Sequence, residues 1–202
     1  MSQESPQPLI HTEDANVYLA KIDDALKRSL VANLVAEIQQ FYSANPFSLE
    51  TPFDLAFVCK MLDYGLRNIL DLLRGIVDEA SYWSDELPKL MIRSIDPQRD
   101  NNRHERRIIQ AENYCALHSD KWMAAVLMGV LSDAELMINE IEPKFRYNPG
   151  RNRPRVPATL PAEPLDCLFL VQALDHALRP NGPVRTMIQA YESSHPGYSE
   201  DM

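Results

Sequence analysis

The densest run of apolar positions lies between residues 51 and 80. Phe53, Leu55, Phe57, Val58, Met61, Leu62, Leu66, Ile69, Leu70, Leu72, Leu73, Ile76 and Val77 recur at helical spacing, leaving a narrow strip for Asp54, Lys60, Asp63, Arg67 and Asp71. A helix that is apolar on nearly every side is expected inside a bundle. Thr51 as cap, Pro52 at the first helical position and Asp54 in the first turn mark its predicted start.

An earlier helix is predicted to open at Thr12, with Leu19, Ile22, Leu26, Leu30, Leu34, Ile38 and Phe41 stepping by three and four until Asn45-Pro46 ends it. Lys21, Asp24, Lys27, Arg28 and Glu37 fill its other face, which places it on the surface of the bundle. After residue 80 the pattern predicts a short helix over 85–95 and a new start at Asp96-Pro97. That helix is polar for three turns before Ile108, Ile109, Tyr114 and Leu117 give it a core face. Ser119-Asp120 predicts the cap of a buried helix over 121–141, and Glu142-Pro143 its end. Pro149, Pro154, Pro157 and Pro161 exclude a regular element from the stretch that follows, so 142–163 is expected to be a Pro/Arg-rich loop. Glu163-Pro164 predicts a further helix to about residue 178, Pro180 to Pro183 a turn, and 184–191 a last short helix. The expectation is an all-α, single-domain bundle of six or seven helices over residues 12–192, built around the long apolar central helix. Flexible tails are expected at 1–11 and 193–202.

A chain of 202 residues, 45% hydrophobic, can bury one sizeable core. Its apolar runs fall short of the roughly 20 residues a membrane span needs, and residues 1–11 are too polar for a signal peptide. The expected location is cytoplasmic, with no membrane partner. Cys59, Cys115 and Cys167 lie far apart, form no CxxC pair and read as small buried hydrophobes.

The chemical motifs are sparse. His104 and His118 are about 21 Å apart along one helix, and Cys115 with His118 makes only two ligands, so neither a metal nor a cofactor is expected. HExxH, Walker A, dinucleotide-binding and GxSxG patterns are absent. The stretch Arg99-Asp100-Asn101-Asn102-Arg103-His104 resembles the Arg-x4-6-His motif of the HEPN superfamily, all-α proteins that include metal-independent ribonucleases acting as dimers. The resemblance covers six residues of 202. It implies Arg99 holding an RNA phosphate and His104 serving as acid/base.

Charge distribution favours binding over catalysis. Lys144, Arg146, Arg151, Arg153 and Arg155 give segment 144–155 a charge of +5 without one acidic residue, with Phe145 and Tyr147 interleaved. Segment 93–107, which includes Arg103 and Arg107, carries +2; taking both from the net −9 leaves −16 on the rest of the chain. A basic patch on an acidic body suits nucleic acid or an acidic protein surface. The leading expectation is a non-catalytic binding protein, self-associating or held by a protein partner, with Lys144, Arg146, Arg151, Arg153, Arg155, Arg103 and Arg107 as its contacts. The HEPN-like ribonuclease is the alternative.

Overall fold

The computed structural model describes residues 5–63, 66, 95, 103–146 and 165–194. The chain is mostly helical with little strand, as expected. Its first element, β1 (Leu9–Ile10), is followed by α1 (Thr12–Leu19) and α2 (Ala25–Ala44). The single helix read from the three-and-four spacing is therefore two. Asp23 and Asp24 break it, because short polar side chains compete with the helix for backbone hydrogen bonds. Asp24 takes an extended backbone and its side chain accepts the Lys27 amide at 2.9 Å, starting α2 afresh. Arg28 closes the joint, donating from Nε to the Ile22 carbonyl at 2.8 Å. Asn45 ends α2 as its sequence position indicates, with its amide bonded to the Phe41 and Tyr42 carbonyls.

The N-terminal segment is not a free tail through His11. Leu9 and Ile10 pair in parallel with Phe53 and Asp54 of β2 (Phe53–Asp54), and the Tyr42 hydroxyl donates to the Gln7 carbonyl at 2.8 Å. His11 turns the chain from β1 into α1 with a left-handed φ of 55°, and its Nδ1 lies 2.9 Å from Oδ2 of the buried Asp54.

This pairing also moves the start of the next helix. Phe53 and Asp54 are held extended, so α3 begins at residue 55 and is capped by Asp54, whose Oδ1 accepts the Phe57 amide at 3.0 Å. Thr51 and Pro52 lie upstream of it. Over the described residues 55–63, every position from 55 to 62 except Lys60 is buried, as the apolar pattern demands. The predicted continuation to residue 80, the helix over 85–95 and the start at Asp96-Pro97 lie outside the described residues.

Next come α4 (Arg103–Leu117) and α5 (Lys121–Arg146). Asp120 caps α5 by accepting the Met123 amide at 3.2 Å. Instead of stopping at Glu142-Pro143, α5 runs on to Arg146, so the predicted loop begins later and Lys144 and Arg146 belong to a helix. A proline costs about 3 kcal/mol in a helix interior; here only the last turn follows it, and few backbone bonds remain to lose.

The next helix, α6 (Cys167–Ala177), starts at Asp166 rather than at Glu163-Pro164, with the Asp166 carboxylate accepting the Phe169 amide at 3.1 Å. The turn at 180–182 leads into α7 (Pro183–Ser194). Gly182 suits this close turn, since a Cβ would crowd the Arg179 carbonyl oxygen at 3.0 Å.

Within the described residues α6 is the hub, packing on α2, α4 and α5, with seven of its eleven residues buried. Phe169 stands among Phe41, Tyr42 and Phe53, the last at 4.8 Å between ring centroids in an edge-on arrangement. One ion pair fixes α6 at its start. Arg107 of α4 donates from Nε and Nη2 to the two Asp166 oxygens at 2.7 and 2.9 Å, and Nη2 also reaches the Ser48 carbonyl at 2.9 Å. Asp166 further accepts the Glu50 amide at 3.0 Å. Among the described residues no helix is long and apolar enough to cross a membrane.

Removing one partner of such a pair leaves the other charge buried. Arg107→Met is expected to lower the unfolding free energy by about 3–5 kcal/mol, with Arg107→Met/Asp166→Asn recovering a large part of the loss. Urea titration followed by circular dichroism measures both.

Candidate functional site

The residues expected to form a basic surface are not all available to it. Arg107, only 7% exposed, is committed to Asp166, a correction that follows from its place on the buried face of α4. Arg103 is exposed but donates to the Glu50 carbonyl at 3.0 Å. His104 is half-buried in the first turn of α4. Lys144 and Arg146 lie in the last turn of α5. Arg99, Arg151, Arg153 and Arg155 lie outside the described residues.

A different set of groups converges at the other end of α6, where the fold leaves a cleft of about 460 Å³ lined by Phe41, Asn45, Ser48, Tyr114, Gln172, Asp175, His176 and Arg179. Tyr114 and His118 are four positions apart, so they share one face at the end of α4. Both turn to Asp175 of α6: the Tyr114 hydroxyl donates to Oδ2, and His118 Nε2 lies 3.3 Å from Oδ1. His118 Nδ1 lies 3.1 Å from both the amide nitrogen and the carbonyl oxygen of Asp120, which anchors the ring with Nε2 facing the carboxylate.

The second group crosses from α6 to α2. Glu37, read from the sequence as an exposed residue, is only 7% exposed. Arg179 accounts for this: its Nη1 donates to Glu37 Oε2 and to the His176 carbonyl, each at 2.6 Å. His176 Nε2 faces the same carboxylate oxygen at 3.5 Å, and its ring lies 5.6 Å from that of Phe41.

The polar groups of the cleft are tied to one another by hydrogen bonds. Burial, and after it the bond to Asp175, push the Tyr114 hydroxyl well above the ordinary phenol range, so it stays a donor. The Ser48 hydroxyl gives its hydrogen to the Asn45 carbonyl at 2.6 Å. No group of three or more metal ligands occurs among the described residues. Nothing in the sequence pattern marked Asp175, His176 or Arg179, although the Tyr114/His118 spacing was a usable sign of a shared polar face.

No protein-family model, curated protein or solved structure matches the chain.

All three cysteines are free and buried. Burial, with Asp54 near one and Asp175 near the other, pushes the Cys59 and Cys115 thiols up to about 12. A thiol reagent at pH 8 is expected to leave both unmodified in the folded protein and to label them in urea. Because the folded state holds these protons more tightly than the unfolded chain, their contribution to stability is complete below pH 9.0 and declines as pH rises from there toward about 12. Unfolding midpoints measured across that range test the sign.

Proposed function

We propose that the protein is a non-catalytic helical binding protein that engages a polyanionic or acidic partner through Lys144, Arg146, Arg151, Arg153 and Arg155. The observation that carries this reading is the segregation of charge. In the helical body, Arg103, Arg107, Arg179 and Arg185 each lie within 4 Å of a carboxylate. Segment 144–155 has five basic residues and no acid of its own. Its first two basic residues belong to the C-terminal turn of α5, where the helix dipole favours cations. Phe145 and Tyr147, interleaved in the sequence, are residue types on which bases stack.

Replacing Arg151, Arg153 and Arg155 together by alanine is expected to weaken binding to a single-stranded RNA or polyglutamate probe. For RNA, the slope of log affinity against log salt should flatten by about 2, the counterions released by three contacts. His104→Ala should fold and bind as the unmodified protein does, and the RNA should remain uncut. Metal-independent cleavage abolished by His104→Ala would replace this reading with a ribonuclease, since loss of a positioned acid/base typically costs about 10²–10⁴ in rate.

A further inference from the structure

The cleft beside α6 has an unspent recognition group, and it is separate from the basic run. Arg179 uses only Nη1, which is held by Glu37 and the His176 carbonyl. Its Nε and Nη2 have no acceptor among the described residues. Those two nitrogens form the side-on edge of the guanidinium, whose parallel N–H groups match the two oxygens of a carboxylate. The head is already fixed in orientation by Glu37, so little freedom remains to be lost on binding.

Three further observations narrow the ligand. Gln172 of α6 also lines the cleft and makes no side-chain hydrogen bond among the described residues. The two carboxylates already have donors: Asp175 accepts from Tyr114 and faces His118, while Glu37 accepts from Arg179 and faces His176. Hydrogen-bonding capacity is left open on Arg179, on the amide of Gln172 and on His176 Nε2, which makes no hydrogen bond, and the donors among these suit an acceptor-bearing anion. The lining also carries aromatic groups, Phe41, tilted at 43° to the His176 ring, and Tyr114. A volume of about 460 Å³ accommodates a small molecule rather than a folded partner.

We propose that this cleft binds a small carboxylate with a planar, apolar body, the carboxylate on the Nε/Nη2 edge of Arg179 and the body against Phe41.

The test uses the full chain and isothermal titration calorimetry with benzoate, its neutral isostere benzamide, and inorganic phosphate. Benzoate is expected to saturate a single site, with benzamide and phosphate each weaker by about tenfold or more. Arg179→Lys keeps a cation for Glu37 but loses the planar edge, and should weaken benzoate by about tenfold. If that variant does not fold, Gln172→Met, which preserves volume and removes the amide, should still show several-fold weaker binding. The Arg151/Arg153/Arg155 alanine variant should bind benzoate undiminished, which separates this site from the polyanion surface. Absence of saturable benzoate binding, equal affinity for benzamide, equal affinity for phosphate, or unchanged affinity in whichever of Arg179→Lys and Gln172→Met folds would overturn the proposal.

Discussion

The described fold turns on the pairing of Arg107 with Asp166. A carboxylate and a guanidinium taken from water gain little unless their remaining hydrogen-bonding capacity is met. Here it is met from three directions: the Glu50 and Phe169 amides reach Asp166, and the Ser48 carbonyl receives Arg107. The pair thereby joins α4, the loop after α2 and the first turn of α6 in one network. It also sets the direction of α6. At 1.5 Å per residue, Asp175 lies about 13 Å along the helix from Asp166, so the salt bridge at one end governs where the cleft groups stand at the other.

Periodicity and capping chemistry made the helical class legible, and where they failed the competing force is identifiable. The apolar stretch after residue 54 is buried as read, but its cap is Asp54 rather than Thr51, because pairing with Leu9–Ile10 holds Phe53–Asp54 extended. That interaction spans more than forty residues and leaves no local trace. The joint at Asp23 and Asp24 did leave one, since two adjacent aspartates are poor helix formers, yet the unbroken spacing of Leu19, Ile22 and Leu26 concealed it. Leu26 is in fact 39% exposed, so the stripe carried across the joint mixes two faces.

The site was less legible than the fold for a related reason. Charged residues in sequence look alike whether they are solvated or paired across the core. Glu37 and Arg179 are separated by 142 positions and meet at 2.6 Å. Arg107, within a run that reads as polar, is the most internal arginine of the described body. The helical phase of Arg107 with Ala111 and Cys115, all three buried on α4, was the available sign that this arginine faces inward.

The parallel pairing of β1 with β2 bears on the order in which the chain assembles. Parallel neighbours cannot be joined by a tight turn, and the crossover here consists of both α1 and α2. Bringing residue 9 to residue 53 closes a long loop against chain entropy, for a reward of only two residue pairs. Contacts made by the intervening helices must already have shortened that search before the pairing is favourable. The strand Leu9–Ile10 thus finds its place after those helices have packed, and because Asp54 both receives His11 and caps α3, its arrival completes the start of a helix more than forty residues downstream.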